Sequence, residues 1–189
     1  MRDYNRDGSS VEMIGAEHSP GMEVTTGSLG QGVSQASGIA MALRLKGETG
    51  RVFVFLSDGE CQSGEFWEAL QAASFHKQEN LILVVDRNGC QCDGVMDPVM
   101  NIEPFDDRFR AFGCACVRIS GHDPLALARA LETPHPDRPL AVVCDTDPCY
   151  QMEFLRERHP KFHYVRFTQP GQWEDYRDRY EAMAKEAEG

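Results

Sequence analysis

Apolar residues in this chain follow two patterns: short unbroken runs, and longer stretches in which they return every third or fourth position. Val52–Leu56, Leu81–Val85 and Leu140–Cys144 are unbroken runs, the pattern of strands covered on both faces of a sheet. Ala115–Ile119 reads as a further strand. Val33–Leu45, rich in Ala and Met and closed by Gly47, predicts a helix buried on more than one side. Gly64–His76 predicts another, with Phe66, Leu70 and Ala73 at helical spacing, and Asp106–Phe112 predicts a short one. A helix from Asp123 to Leu131 has Asp123 in the N-cap position and Pro124 in the first turn. An amphipathic helix is expected at Trp173–Ala187, and the first 30 residues, rich in Gly, Ser and Thr, read as irregular.

Apolar strands alternating with helices predict an α/β fold: a doubly wound, mostly parallel sheet with helices on both faces. The 189 residues suit one domain, with an irregular segment over 1–30 and a helical tail over 150–189. The 19 Lys and Arg against 30 Asp and Glu leave a net charge of −11, which argues against nucleic acid and anionic lipid as partners. No run approaches the roughly 18 apolar residues of a membrane span, and the polar start MRDYNRDGSSVEM has no signal-peptide core; the expected address is the cytoplasm. Seven cysteines, with no CxxC pair, read as mostly small buried hydrophobes and not as a zinc site or disulfide framework.

Parallel α/β sheets bind ligands beyond the carboxyl ends of their strands. Ser57-Asp58-Gly59 and Asp86-Arg87-Asn88-Gly89 sit there, after two successive strands. Asp58-Gly59 and Asn88-Gly89 taken singly are turn dipeptides. Ending neighbouring strands, they bring a carboxylate and an amide oxygen over one crevice, hard donors suited to Mg²⁺ and the phosphate oxygens it borrows. Gly59 admits a phosphate close to the backbone, and the helix start near Gly64 offers free amides.

Asp58-Gly59 followed by Asn88 resembles the thiamine diphosphate fingerprint that begins GDG and ends in N. Pro20-Gly21-Met22-Glu23-Val24-Thr25-Thr26-Gly27-Ser28-Leu29-Gly30-Gln31-Gly32 resembles the PGVEVTTGSLGQG segment of transketolases. Asp86 to Gly94 resembles their DRNGLQIDG, and Ala111-Phe112-Gly113 and Gly121-His122-Asp123 match later markers. The resemblance implies thiamine diphosphate and Mg²⁺ as cofactors. It implies metal binding by Asp58, Asn88 and the Cys90 backbone carbonyl, and cofactor contacts from Gly27, Ser28, Leu29, Gly30, Asp58, Gly59, Glu60 and Asn88. His163, in Phe162-His163-Tyr164, is set against a family histidine near diphosphate and substrate, although a surface histidine is its plainer reading. His18 aligns with none clearly.

Departures from the family pattern matter as much. Ser57 replaces the first fingerprint glycine, and Ser63 stands where the family has a glutamate of a carboxylate network joining paired sites; Glu60 and Glu65 are the acids near enough to replace it. The tens of residues before the PGVE segment, and the pyrimidine-binding half with its cofactor-activating glutamate, have no counterpart here. No catalytic residue is assigned beyond the open readings of His163 and His18. The resemblance implies the amino-terminal subunit of a two-component transketolase-like transferase. Such a protein moves a two-carbon ketol unit on a small-molecule substrate only beside a carboxy-terminal pyrimidine-domain partner, in a two-plus-two heterotetramer; helix Val33–Leu45, apolar on several sides, is the candidate interface. The alternatives are one component of a 2-oxo acid decarboxylase or acyloin-forming carboligase, and a non-catalytic regulatory relative.

Overall fold

A computed structural model describes residues 7–10, 17, 19–24, 27–164 and 166–188. Four parallel strands form the sheet in the order β1 (Val52–Ser57), β2 (Leu81–Arg87), β6 (Leu140–Asp145), β5 (Ala115–Ser120). Two of the three unbroken apolar runs, in β2 and β6, lie in the middle, where both faces need covering. Successive residues of β2 point to opposite sides. Leu81, Leu83 and Val85 therefore join one core with Phe66, Leu70, Phe105 and Phe109, while Ile82 and Val84 join a second with Leu140, Val142 and Ala130.

The first face is covered by α1 (Gln31–Leu45), α2 (Gly64–Phe75) and α4 (Phe105–Ala111), the second by α5 (Pro124–Ala130). The doubly wound arrangement is thus present but lopsided. In α5 the Asp123 carboxylate accepts the Leu125 and Ala126 amides at 2.9 and 3.0 Å, the cap its sequence position predicts. The tail helix α6 spans Gln172–Glu188. A two-strand hairpin, β3 (Cys90–Gln91) with β4 (Gly94–Val95), and a short helix α3 (Met96–Met100) follow β2.

Two expectations need correction. Val52–Leu56 is not covered on both sides: β1 is an edge strand, and its Phe53 and Phe55 are 41% and 75% exposed on the α5 face of the sheet, where α5 packs on β5 and β6. Helix α1 is buried on one side only, through Gly32, Val33, Ala36 and Ala40, while Ser34, Gly38 and Ala42 face out. All seven cysteines are free, four of them buried. No helix among the described residues is long and apolar enough to cross a membrane.

Candidate active site

The parallel register sets the site. Ser57 pairs with Asp86, and the ladder runs one step further, the Asp58 amide donating to the Asp86 carbonyl at 3.1 Å. Asp58 therefore leaves β1 directly beside the segment Arg87-Asn88-Gly89 leaving β2. Its side chain is fully buried and held at both oxygens: the Gly59 amide donates to Oδ1 at 2.8 Å and the Gly89 amide to Oδ2 at 2.6 Å. Burial pushes this carboxyl above its ordinary range, with the Asp86 charge acting the same way, and the two amide bonds and Arg87 do not offset it. A cation beside Asp58 would reverse that imbalance.

Asn88 folds back on its own turn. Its Oδ1 accepts the Cys90 amide at 2.8 Å and its Nδ2 donates to Asp86 Oδ2 at 2.9 Å, while Asp86 also accepts from the Thr146 hydroxyl. The strand ends of β1, β2 and β6 are thereby tied through side chains. A Cβ on Gly59 would lie 3.2 Å from Gln91 Cβ, so the loop after β1 is seated against the β3–β4 hairpin.

The segment Gly27–Gly30 approaches from the other side. Gly30, at φ +98°, accommodates a backbone shape that L side chains rarely adopt, and a Cβ there would collide with Ser63. Its amide donates to Glu60 Oε1 at 2.8 Å. Glu60 is buried on the 3₁₀ turn Gly59–Gln62, whereas Glu65 is exposed. Leu29 stands out into solvent, 63% exposed.

Beyond the strand ends lies a cavity of about 250 Å³, walled by Asn88, Gly89, Cys90, Asp147, Arg156 and His159 together with neighbouring apolar groups. Asp147 organises the far wall. Its Oδ1 caps the Cys149 amide at 2.9 Å, its Oδ2 holds Arg156 Nη2 at 2.5 Å, and its own amide donates to His122 Nε2 at 2.7 Å. His122 stacks on Tyr150 with ring centroids 3.9 Å apart. Periodicity could not point to Arg156, His159 or Asp147, because their segment is irregular. His163 does not line the cavity; it is exposed, its Nε2 3.1 Å from Cys92 Sγ. His18 lies outside the described residues.

Three of the expected elements thus meet: the Asp58 turn, the Asn88–Cys90 turn, and the Gly30 end of the glycine-rich segment. Among the described residues no three His, Cys, Asp or Glu side chains form a metal cage. The oxygen donors available are one carboxylate, one carboxamide and backbone carbonyls, a hard and incomplete set of the kind Mg²⁺ completes with phosphate and water.

Residues 14–150 match the family described as "Transketolase, thiamine diphosphate binding domain". The chain belongs to the transketolase family. It is 39% identical over 177 residues to an uncharacterised transketolase-family protein of Sinorhizobium fredii, covering 92% of this chain and 63% of that one. It is 32% identical over 146 residues to one of the subunits of the apulose-4-phosphate transketolase of Actinobacillus succinogenes, covering 77% and 52%. A Pichia stipitis transketolase structure superposes with a TM-score of 0.70 at 28% identity, over 77% of this chain and 24% of that one. This transketolase-family chain therefore spans only part of the length of these two curated relatives, 63% and 52%.

Proposed function

We propose that this chain is the amino-terminal, diphosphate-binding subunit of a two-component transketolase-like enzyme. It transfers a two-carbon ketol unit between small carbonyl substrates, using thiamine diphosphate and Mg²⁺. The observation that carries the reading is the meeting of Asp58 and the Asn88–Cys90 turn at the ends of paired parallel strands, with the Asp58 carboxylate buried and its charge uncompensated. The Actinobacillus relative is named as one subunit of its transketolase, which supports the two-component part.

Asp58, Asn88 and the Cys90 carbonyl would hold the metal, and Gly59 would face the diphosphate. Gly27, Ser28, Leu29 and Gly30 would receive the aminopyrimidine end, with exposed Leu29 as the apolar contact. When bound, thiamine diphosphate supplies the nucleophilic carbon that carries the two-carbon unit. The chain's own residues bind and orient it, and the cavity wall of Asp147, Arg156 and His159 shapes the substrate side. The carboxylate that activates the cofactor belongs to a pyrimidine-domain partner, in a two-plus-two assembly that uses the outward side of α1. The test is co-expression with such a partner and assay of ketol transfer against 2-oxo acid decarboxylation. Ketol transfer by the complex, and none by this chain alone, is the expected result; transfer by the isolated chain, or decarboxylation as the sole reaction of the complex, overturns the proposal.

A further inference from the structure

Glu60 is a buried carboxylate that the family resemblance sets among the cofactor contacts, and its side chain turns to the chain's own backbone. Its Oε1 accepts the Gly30 amide at 2.8 Å across 30 residues of chain, from the turn after β1 to the start of α1. Gly30 is the N-cap of α1 and no side chain of that helix's own end caps it, so Glu60 places a carboxylate at the positive end of a 15-residue helix. The contact also fixes a peptide plane. With the Gly30 N–H directed at Glu60, planarity turns the Leu29 carbonyl the opposite way. Ser63 packs where a Gly30 side chain would go, so the glycine segment is seated by a hydrogen bond on one side and by steric contact on the other. The Glu60 amide in turn donates to Ser57 Oγ at 3.1 Å, which joins the clasp to the residue immediately before Asp58.

We propose that Glu60 is the positioning residue that locks the Gly27–Gly30 segment onto the Asp58 turn. The two ends of the cofactor cradle then stand at a set distance before any ligand arrives. This rests on the cofactor site proposed above. The role is an acceptor's, because the partner is a neutral backbone amide.

The test compares Glu60→Leu, which removes the acceptor at similar volume, with Glu60→Gln, which keeps an oxygen there. Both are made in the complex with the pyrimidine-domain partner and titrated with thiamine diphosphate at saturating Mg²⁺. Glu60→Leu is expected to raise the half-saturating cofactor concentration about tenfold, the loss of one hydrogen bond to a charged group. Glu60→Gln is expected to stay within about threefold of wild type. Wild-type half-saturation in Glu60→Leu, or a Glu60→Gln as impaired as Glu60→Leu, overturns the proposal. Amide hydrogen exchange on the unsubstituted chain without cofactor provides a second readout that needs no variant to fold. The Gly30 amide is expected to be protected, and free exchange there sinks the clasp outright. A wild-type complex indifferent to thiamine diphosphate would instead defeat the cofactor assignment, with the exchange result still deciding the clasp.

Discussion

An acid whose only task is to hold a metal can be removed without harm to the apo fold. Asp58 is not such an acid. It is fully buried, and its two oxygens satisfy the amides of Gly59 and Gly89, the second of which belongs to the neighbouring strand's exit. Asp58→Ala leaves both amides without acceptors, and hydrogen bonds to a charged group are worth about 1.5–3 kcal/mol each. Against this stands the relief of no longer burying a carboxylate whose pKa is pushed up by burial. A net loss of about 2–4 kcal/mol remains, a large share of the roughly 5–15 kcal/mol that holds a typical domain together. For a chain of this size that lowers the unfolding midpoint by about 5–15 °C.

The assay is thermal unfolding followed by circular dichroism, on wild type, Asp58→Ala and Asp58→Asn. Asparagine keeps one acceptor oxygen and no charge, so its midpoint should fall between the other two. The pH dependence has a definite sign. With the folded-state pKa above the ordinary 3.8, the group's contribution is complete below that value and is lost as pH rises through the folded-state value. The gap between wild type and Asp58→Ala should therefore widen on acidification. A variant midpoint within about 2 °C of wild type at every pH would refute the hydrogen-bond reasoning.

Three further outcomes are expected. Ala40 is fully buried against the sheet, so Ala40→Glu should unfold the chain by placing an unpaired charge in the core, whereas Ala42→Glu on the outward side of α1 should leave the midpoint unchanged and disturb only assembly; midpoints and light scattering on both variants separate the two. Burial pushes the Glu103 carboxyl up, but the Arg118 hydrogen bonds at 2.9 and 3.1 Å, with the Phe105 amide, hold it below its ordinary 4.5. Its stabilisation is therefore present above pH 4.5 and lost as pH falls, and acid unfolding of Glu103→Gln should be less steep than that of wild type. Under iodoacetamide, peptide mapping should find exposed Cys92 modified first. Buried Cys61 and Cys114 should stay intact until unfolding, the Cys114 thiol being pushed up to about 12 by burial.

The strand and helix order is legible in the sequence because it rests on periodicity, and periodicity reports burial. Periodicity does not say which apolar run lies at the sheet's edge: Val52–Leu56 reads like Leu81–Val85, yet Phe53 and Phe55 are largely bare. Small residues all around α1 read as burial on several sides; Gly38 and Ala42 are simply small and outward. Asp58 and Asn88 are legible because strand ends locate a crevice. The bond from the Gly89 amide to Asp58, the Glu60 clasp and the Asp147–His122 contact are not, since each joins backbone to side chain across distant segments. The hairpin Cys90–Val95 is too short to leave a period.

The separation between Asp58 and Asn88 has a mechanical origin. After β1 the chain must turn, climb through the 12 residues of α2 on one face, return, and run up β2 in register, Val52 beside Leu81 and Ser57 beside Asp86. Any crossover of that length and register delivers the residues after β1 and β2 to the same place. The spacing therefore encodes the topology, and chemistry enters only through what stands at the delivered positions. An acid at position 58 acquires a buried, doubly bonded carboxylate because the register presents it to the Gly89 amide. A carboxamide at position 88 is held by the hairpin's first amide and by Asp86. Ser57 in place of the usual glycine changes neither delivery nor register, and its hydroxyl is used to hold the Glu60 amide. The first fingerprint position belongs to strand β1, while positions 58 and 88 stand just past the ends of β1 and β2, over the crevice.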